Sequence, residues 1–168
     1  HDEWLQCKEG EAPSSMTTAL KQFQQNSGIF YFQKGAILND SRQTEGLKHD
    51  LQCEPKRLDL KVGEIRNIHI DVGNIGESRW LNENETTFGI INVASRLLDF
   101  ESRELLKDNT RFRFPTEIEP GERFEGDIPI CVDRPGRYWL KLDLVAELVC
   151  WFESVGSEAI LIEVNVTT

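Results

Sequence analysis

The sequence predicts an all-β protein, an antiparallel β-sandwich preceded by an N-terminal linker or short helix. Three observations carry this. From about residue 56 onward, short runs alternate apolar and polar residues with period 2, as in RLDLKV (57–62) and IRNIHIDV (65–72). Turn signals, EPGE at 119–122 and DRPGR at 133–137, separate the runs. No strand–helix alternation marks a parallel α/β sheet.

The elements follow in order. Residues 1–27 are small and polar, with one short helical pattern through Met16, Leu20 and Phe23, and read as a linker with up to two helical turns. The sandwich then covers 28–168, with a first strand at 28–38 (GIFYFQKGAIL) and a main body at 56–166. Residues 39–55 read as a loop. TTFGIINVASRLLDF (86–100) is β-branched and apolar on both parities, and ESRELLKDN (101–109) is a charged connection. RFRFP (111–115) is a short strand. In RFEGDIPICV, Pro129 calls for an edge or a bulge, because it cannot donate to a ladder. YWLKLDLVAELVCWF (138–152) is a long strand broken near Ala146 and Glu147 into a hairpin, and AILIEVNV closes the domain.

Composition narrows function. The 168 residues suit one domain with a core of its own, and the formal net charge of −10 opposes phosphate backbones, so nucleic acid is not an expected partner. The opening HDEWLQ has neither an initiator Met nor a signal-peptide pattern; the expectation is a domain excised from a longer chain, in a reducing cytoplasm. The four cysteines are widely spaced, without CxxC, and read as free thiols, a Cys131–Cys150 bridge being the alternative. No nucleophile, zinc or phosphate-loop motif occurs. The expectation is no catalytic residue, no metal and no cofactor. His69, between Ile68 and Ile70, is expected on the solvent face of its strand.

Two stretches carry a resemblance. VGNIGESRW (72–80) resembles the V-x-N-x-G-x-x-x-W opening of immunoglobulin-like sandwich modules. IEPGERFEGDIPICVDRPGRYWLKLDLVAELVCWFESVGS (118–157) resembles a module of bacterial cell-surface polysaccharide assembly proteins. That module is similar to the C-terminal carbohydrate-binding domains of ATP-binding subunits in O-antigen ABC transporters. The chain departs from the pattern at Leu148, where glycine is usual, and at Cys150, where Ser or Thr is common. The resemblance implies an immunoglobulin-like sandwich that binds a lipopolysaccharide O-antigen without catalysis and selects it for export. It also implies an upstream ATPase or transferase domain and a place at the cytoplasmic face of the inner membrane. Sandwich edges invite pairing, so the exposed strand at 28–38 points to a homodimer, with strand exchange as one route to it. The alternative is a structural module appended to a glycosyltransferase or methyltransferase.

Residue chemistry then selects the candidate glycan contacts. Sugars are held by aromatic faces stacked on C–H patches and by polar groups that grip hydroxyls. On 138–144, Tyr138, Leu140, Leu142 and Leu144 claim the core, which leaves Trp139, Lys141 and Asp143 on the other face. The candidates are Trp139, Arg137, Lys141, Arg96 and Asn92, with Arg79, Trp80 and Trp151 as further members.

Overall fold

The computed structural model describes residues 32–33, 36–37, 39–84 and 86–168. The chain divides into two compact units, His1–Leu38 and Asn39–Thr168. In the first, the described backbone is a hairpin of β1 (Phe32–Gln33) and β2 (Ala36–Ile37), with Phe32 opposite Ile37. Where the sequence reads one strand over 28–38, these two short strands pair with each other. The linker expected over 1–27 lies outside the described residues.

The second unit is an immunoglobulin-like β-sandwich. Its strands are β3 (His49–Glu54), β4 (Arg57–Lys61), β5 (Ile65–Asn74), β6 (Ile91–Asp99), β7 (Leu105–Arg113), β8 (Arg123–Cys131), β9 (Gly136–Ala146), β10 (Cys150–Trp151) and β11 (Ile160–Thr167). One sheet has the order β3-β5-β8. The larger has the order β4-β11-β9-β6-β7, with β10 added on β9. All pairings in the two sheets are antiparallel except β4 with β11, where Leu58 lies opposite Val164 in a parallel ladder. Within this unit the strands thus begin in the smaller sheet with β3 and cross to the edge of the larger one with β4.

Period-2 alternation builds the core from both sheets. Ile68, Ile70 and Val72 of β5 meet Leu140, Leu142 and Leu144 of β9 and Ile162 and Val164 of β11, all fully buried. Pro129 lies on β8, an edge strand, as its missing N–H demands. Two elements differ from expectation. The loop read over 39–55 contains β3, whose inward members are His49, Leu51 and Cys53; a histidine and a cysteine at core positions hide the alternation. The connection read over 101–109 is partly strand, since β7 starts at Leu105.

The V-x-N-x-G-x-x-x-W stretch is structural. Val72 and Trp80 are core residues. The Asn74 side-chain amide donates to the carbonyls of Ser78 (2.9 Å) and Ile118 (3.1 Å), and its oxygen accepts the Gly76 N–H at 3.1 Å. A Cβ on Gly76 would fall 2.0 Å from the Gly46 carbonyl oxygen, so only glycine fits. The break expected near Ala146 is the tight turn 147–149, where Leu148 adopts φ 63 with its side chain 88% exposed. The glycine of the module pattern suits that left-handed backbone, and Leu148 occupies it under strain.

Candidate functional site

The outer face of the larger sheet gathers most of the candidates. β9 and β6 run antiparallel with Lys141 opposite Arg96 and Trp139 opposite Leu98. The same parity carries Asn92, opposite Val145, and β10 adds Trp151 opposite Val145 on the other side. Trp139, Arg137, Lys141, Arg96, Asn92 and Trp151 therefore share one face. Arg79 and Trp80 do not: Trp80 is 1% exposed in the core, edge-on to Phe152 at 5.5 Å. Arg79, half-buried in the loop after β5, pairs with Glu117 at 2.8 Å.

Asp143 corrects the simple two-face reading of β9. It has the outward parity of Trp139 and Lys141, yet it is fully buried. The single 3-10 turn at Phe152–Val155 folds back against β9, and the Glu153 N–H donates to the Asp143 carboxylate at 3.2 Å. The other Asp143 oxygen lies 3.1 Å from His49 Nε2, and the His49 ring stacks on Phe152 at 5.5 Å. The His49 backbone N–H donates to Ser157 Oγ at 3.2 Å. A buried carboxylate needs such partners, and they fasten the 3-10 turn and the residues after it to β3 and β9.

Above the fastened segment the face is a lattice of ion pairs. Arg96 and Lys141 both grip the Glu153 carboxylate. Burial alone would raise that carboxyl, but the hydrogen bonds and charges of Lys141 and Arg96 together hold it below the usual carboxylate range. The Arg96 guanidinium lies 3.8 Å from the Trp151 ring centroid and that of Arg111 4.9 Å away. Asn92 donates to Glu147 at 2.8 Å, where Arg111 also donates at 3.1 Å. The partly apolar strand β6 is thereby buried on both sides, which accounts for its lack of a wet parity.

At the other end Trp139 is outward and half-buried. Its indole stacks on Phe100, 5.4 Å between centroids and 6° between planes, and its N–H donates to the Phe100 carbonyl at 3.2 Å. The Arg103 guanidinium lies over the indole, 4.0 Å from its centroid. Arg137 lies 3.8 Å from the Phe100 ring and pairs with Glu163 at 3.0 Å. Phe100 and Arg103 have no marker in the sequence, because one ends the apolar stretch 86–100, the other lies in the charged connection 101–109, and both meet Trp139 only through the fold. Alongside runs an open groove of about 660 Å³, lined by Leu98, Arg103, Lys141, Glu153, Glu158 and Leu161 among others.

The remaining chemistry is sparse. Cys131 on β8 and Cys150 on β10 stand in different sheets, and with Cys53 they are free thiols; Cys7, also expected to be free, lies outside the described residues. Burial pushes the Cys53 thiol up to about 11. Among the described residues no group of three or more His, Cys, Asp or Glu side chains is placed to hold a metal ion. His69 is exposed, as expected, with Nδ1 3.0 Å from Asp127 and Nε2 3.2 Å from Glu125.

The strand order defines the class: an immunoglobulin-like β-sandwich domain, with a three-stranded sheet facing a larger sheet built around β9 and β6. No family model matches the chain, and no curated protein matches it. Solved structures do. The CARDB domain of the PF1109 protein from Pyrococcus furiosus, crystallised in complex with di-metal ions, is 14% identical with a TM-score of 0.41, covering 82% of this chain and 100% of that one. A solution NMR structure of that CARDB domain also gives 14% identity and a TM-score of 0.41, over 73% and 97%. The ASH/PapD-like domain 7 of human CEP192 is 11% identical with a TM-score of 0.31, over 83% and 94%. Likeness at this level says nothing of ligand or partner.

Proposed function

We propose that the chain is a non-catalytic carbohydrate-binding module whose ligand docks on the outer face of the larger sheet, beside Trp139. The observation that supports this best is the groove of about 660 Å³ there. Leu98 and Leu161 contribute apolar lining, while Arg103, Lys141, Glu153 and Glu158 supply polar groups. A pyranose has the complementary character, an apolar C–H face with a rim of hydroxyls. Lys141 lines the groove, and Trp139 and Arg137 stand beside it on the same face; these three grip the sugar, with Arg96 and Asn92 supporting the face through Glu153 and Glu147.

The resemblance of 118–157 extends the proposal. The glycan is a cell-surface polysaccharide of the O-antigen type, and the module selects it for export as part of a transporter ATPase subunit, in a homodimer, at the cytoplasmic face of the inner membrane. One observation favours the second reading, a structural module appended to a transferase. Arg96, Arg111, Arg137 and Lys141 are already held by carboxylates of the chain itself.

Titration of Trp139→Ala against a panel of O-antigen-type polysaccharides separates the two. Loss of a stacked aromatic costs about 1–3 kcal/mol, so binding should weaken roughly ten- to a hundredfold while the β-type circular dichroism spectrum persists. Wild-type protein that binds no member of the panel supports the structural reading.

A further inference from the structure

The end of the groove nearest Trp139 has a feature that the glycan reading alone does not require. Four cations of this face are committed: Arg96 and Lys141 to Glu153, Arg111 to Glu147, and Arg137 to Glu163. Arg103 is different. It is exposed, it lines the groove, and among the described residues no carboxylate lies within ion-pair distance of it. Its guanidinium rests on the Trp139 indole, 4.0 Å from the ring centroid.

Both groups are held in place. The indole is fixed by its stacking on Phe100 and by its hydrogen bond to the Phe100 carbonyl. The Arg103 backbone is fixed by the turn after β6. Asp99 accepts the N–H groups of Ser102 (2.8 Å) and Glu101 (3.0 Å), and the Arg103 N–H donates to the Asp99 carbonyl at 3.1 Å. Arg103 itself sits at φ 62, a left-handed conformation that arginine seldom adopts, and the turn directs its side chain over the indole. The groove is lined by two cations, Arg103 and Lys141, and two carboxylates, Glu153 and Glu158. Lys141 and Arg96 are both committed to Glu153, which leaves Arg103 as the cation to meet an anionic ligand.

We infer that Trp139 and Arg103 form a subsite for an acidic sugar. The apolar ring face of a uronate residue stacks on the indole, and the guanidinium moves off the ring to bind the sugar's carboxylate through two parallel hydrogen bonds. An exposed cation–π contact is weak compared with a bidentate charge-assisted pair, so the exchange favours the ligand. No bond is made or broken. Arg103 is the specificity-determining residue: it selects the acidic sugar over its neutral counterpart. This inference rests on the glycan-binding reading above.

The test uses the full chain and four monosaccharides: glucuronate and galacturonate, with glucose and galactose as their neutral counterparts. Acetate serves as a carboxylate without a ring. Nitrogen-15 spectra follow the Trp139 indole N–H and the Arg103 Nε–H. The uronates should move both signals and bind about tenfold more tightly than the neutral sugars, the difference that one charge-assisted pair supplies. Arg103→Met, at an exposed position, should keep the dispersed spectrum of the folded protein and abolish that preference. If neutral sugars bind as tightly as uronates, the acidic subsite is wrong while the glycan reading stands. If acetate matches the uronates, the site binds an anion and not a sugar, and the inference fails. If no sugar moves either signal, both readings fail together.

Discussion

Single residues in this protein owe their state to what the fold brings next to them. His69 alternates with Ile68 and Ile70, and that alone places it on the solvent face. Only the pairing of β5 with β8 sets it between Asp127 and Glu125. The hydrogen bond to Asp127 and then that to Glu125 raise its titration point above the ordinary histidine value of 6.5. The sign follows directly. The charged imidazole contributes its small, solvent-screened share fully below 6.5, and the contribution is lost as pH rises through the higher folded-state value. A proton NMR titration should therefore give His69 a midpoint above that of an unfolded histidine, and Asp127→Asn should lower it. An unchanged midpoint in the variant would remove Asp127 as the cause. The candidate site was legible at this scale only in part. Parity alone put Trp139 and Lys141 outward; Phe100 and Arg103, which set the environment of the indole, are far from it in sequence and carry no periodic signal.

At the scale of elements, alternation revealed the strands whose inward positions are aliphatic: β4, β5, β8, β9 and β11. It failed where other constraints govern. The inward positions of β3 include His49, buried through its contact with Asp143, so a polar residue stands where the pattern wants an apolar one. β6 is apolar on both parities because the segment after β9 covers its outer side. The 147–149 turn shows the same dependence on context. Leu148 holds φ 63 in a tight turn between β9 and β10, and its exposed side chain gains little from burial. A glycine there carries no left-handed penalty, which for other residues is about 1 kcal/mol or more. Leu148→Gly is therefore expected to stabilise the domain by up to about 1 kcal/mol, read as a higher urea midpoint at constant m-value. Destabilisation by the substitution would mean that the Leu148 side chain has a packing role that its exposure does not suggest.

The two outer faces of the sandwich differ in electrostatic character: the smaller sheet's is acidic, while the larger sheet's balances its cations with carboxylates. On the smaller sheet, Asp50, Asp71, Glu125 and Asp127 surround Arg123 and His69. On the larger sheet, arginines and a lysine interleave with Trp139, Phe100 and Trp151 beside the groove. The proposed acidic sugar would meet Arg103 on the second face and an excess of carboxylates on the first. The central claim is that the ligand face is the outer side of the larger sheet. Backbone amide mapping of the intact, unmutated protein with an O-antigen-type polysaccharide tests it most directly, because no substitution can confound folding with binding. The account predicts shifts concentrated at Leu98, Arg103, Trp139, Lys141 and Leu161, with the β3, β5 and β8 amides unmoved. Shifts concentrated instead on the smaller sheet, or at the loop around Arg79, would contradict it.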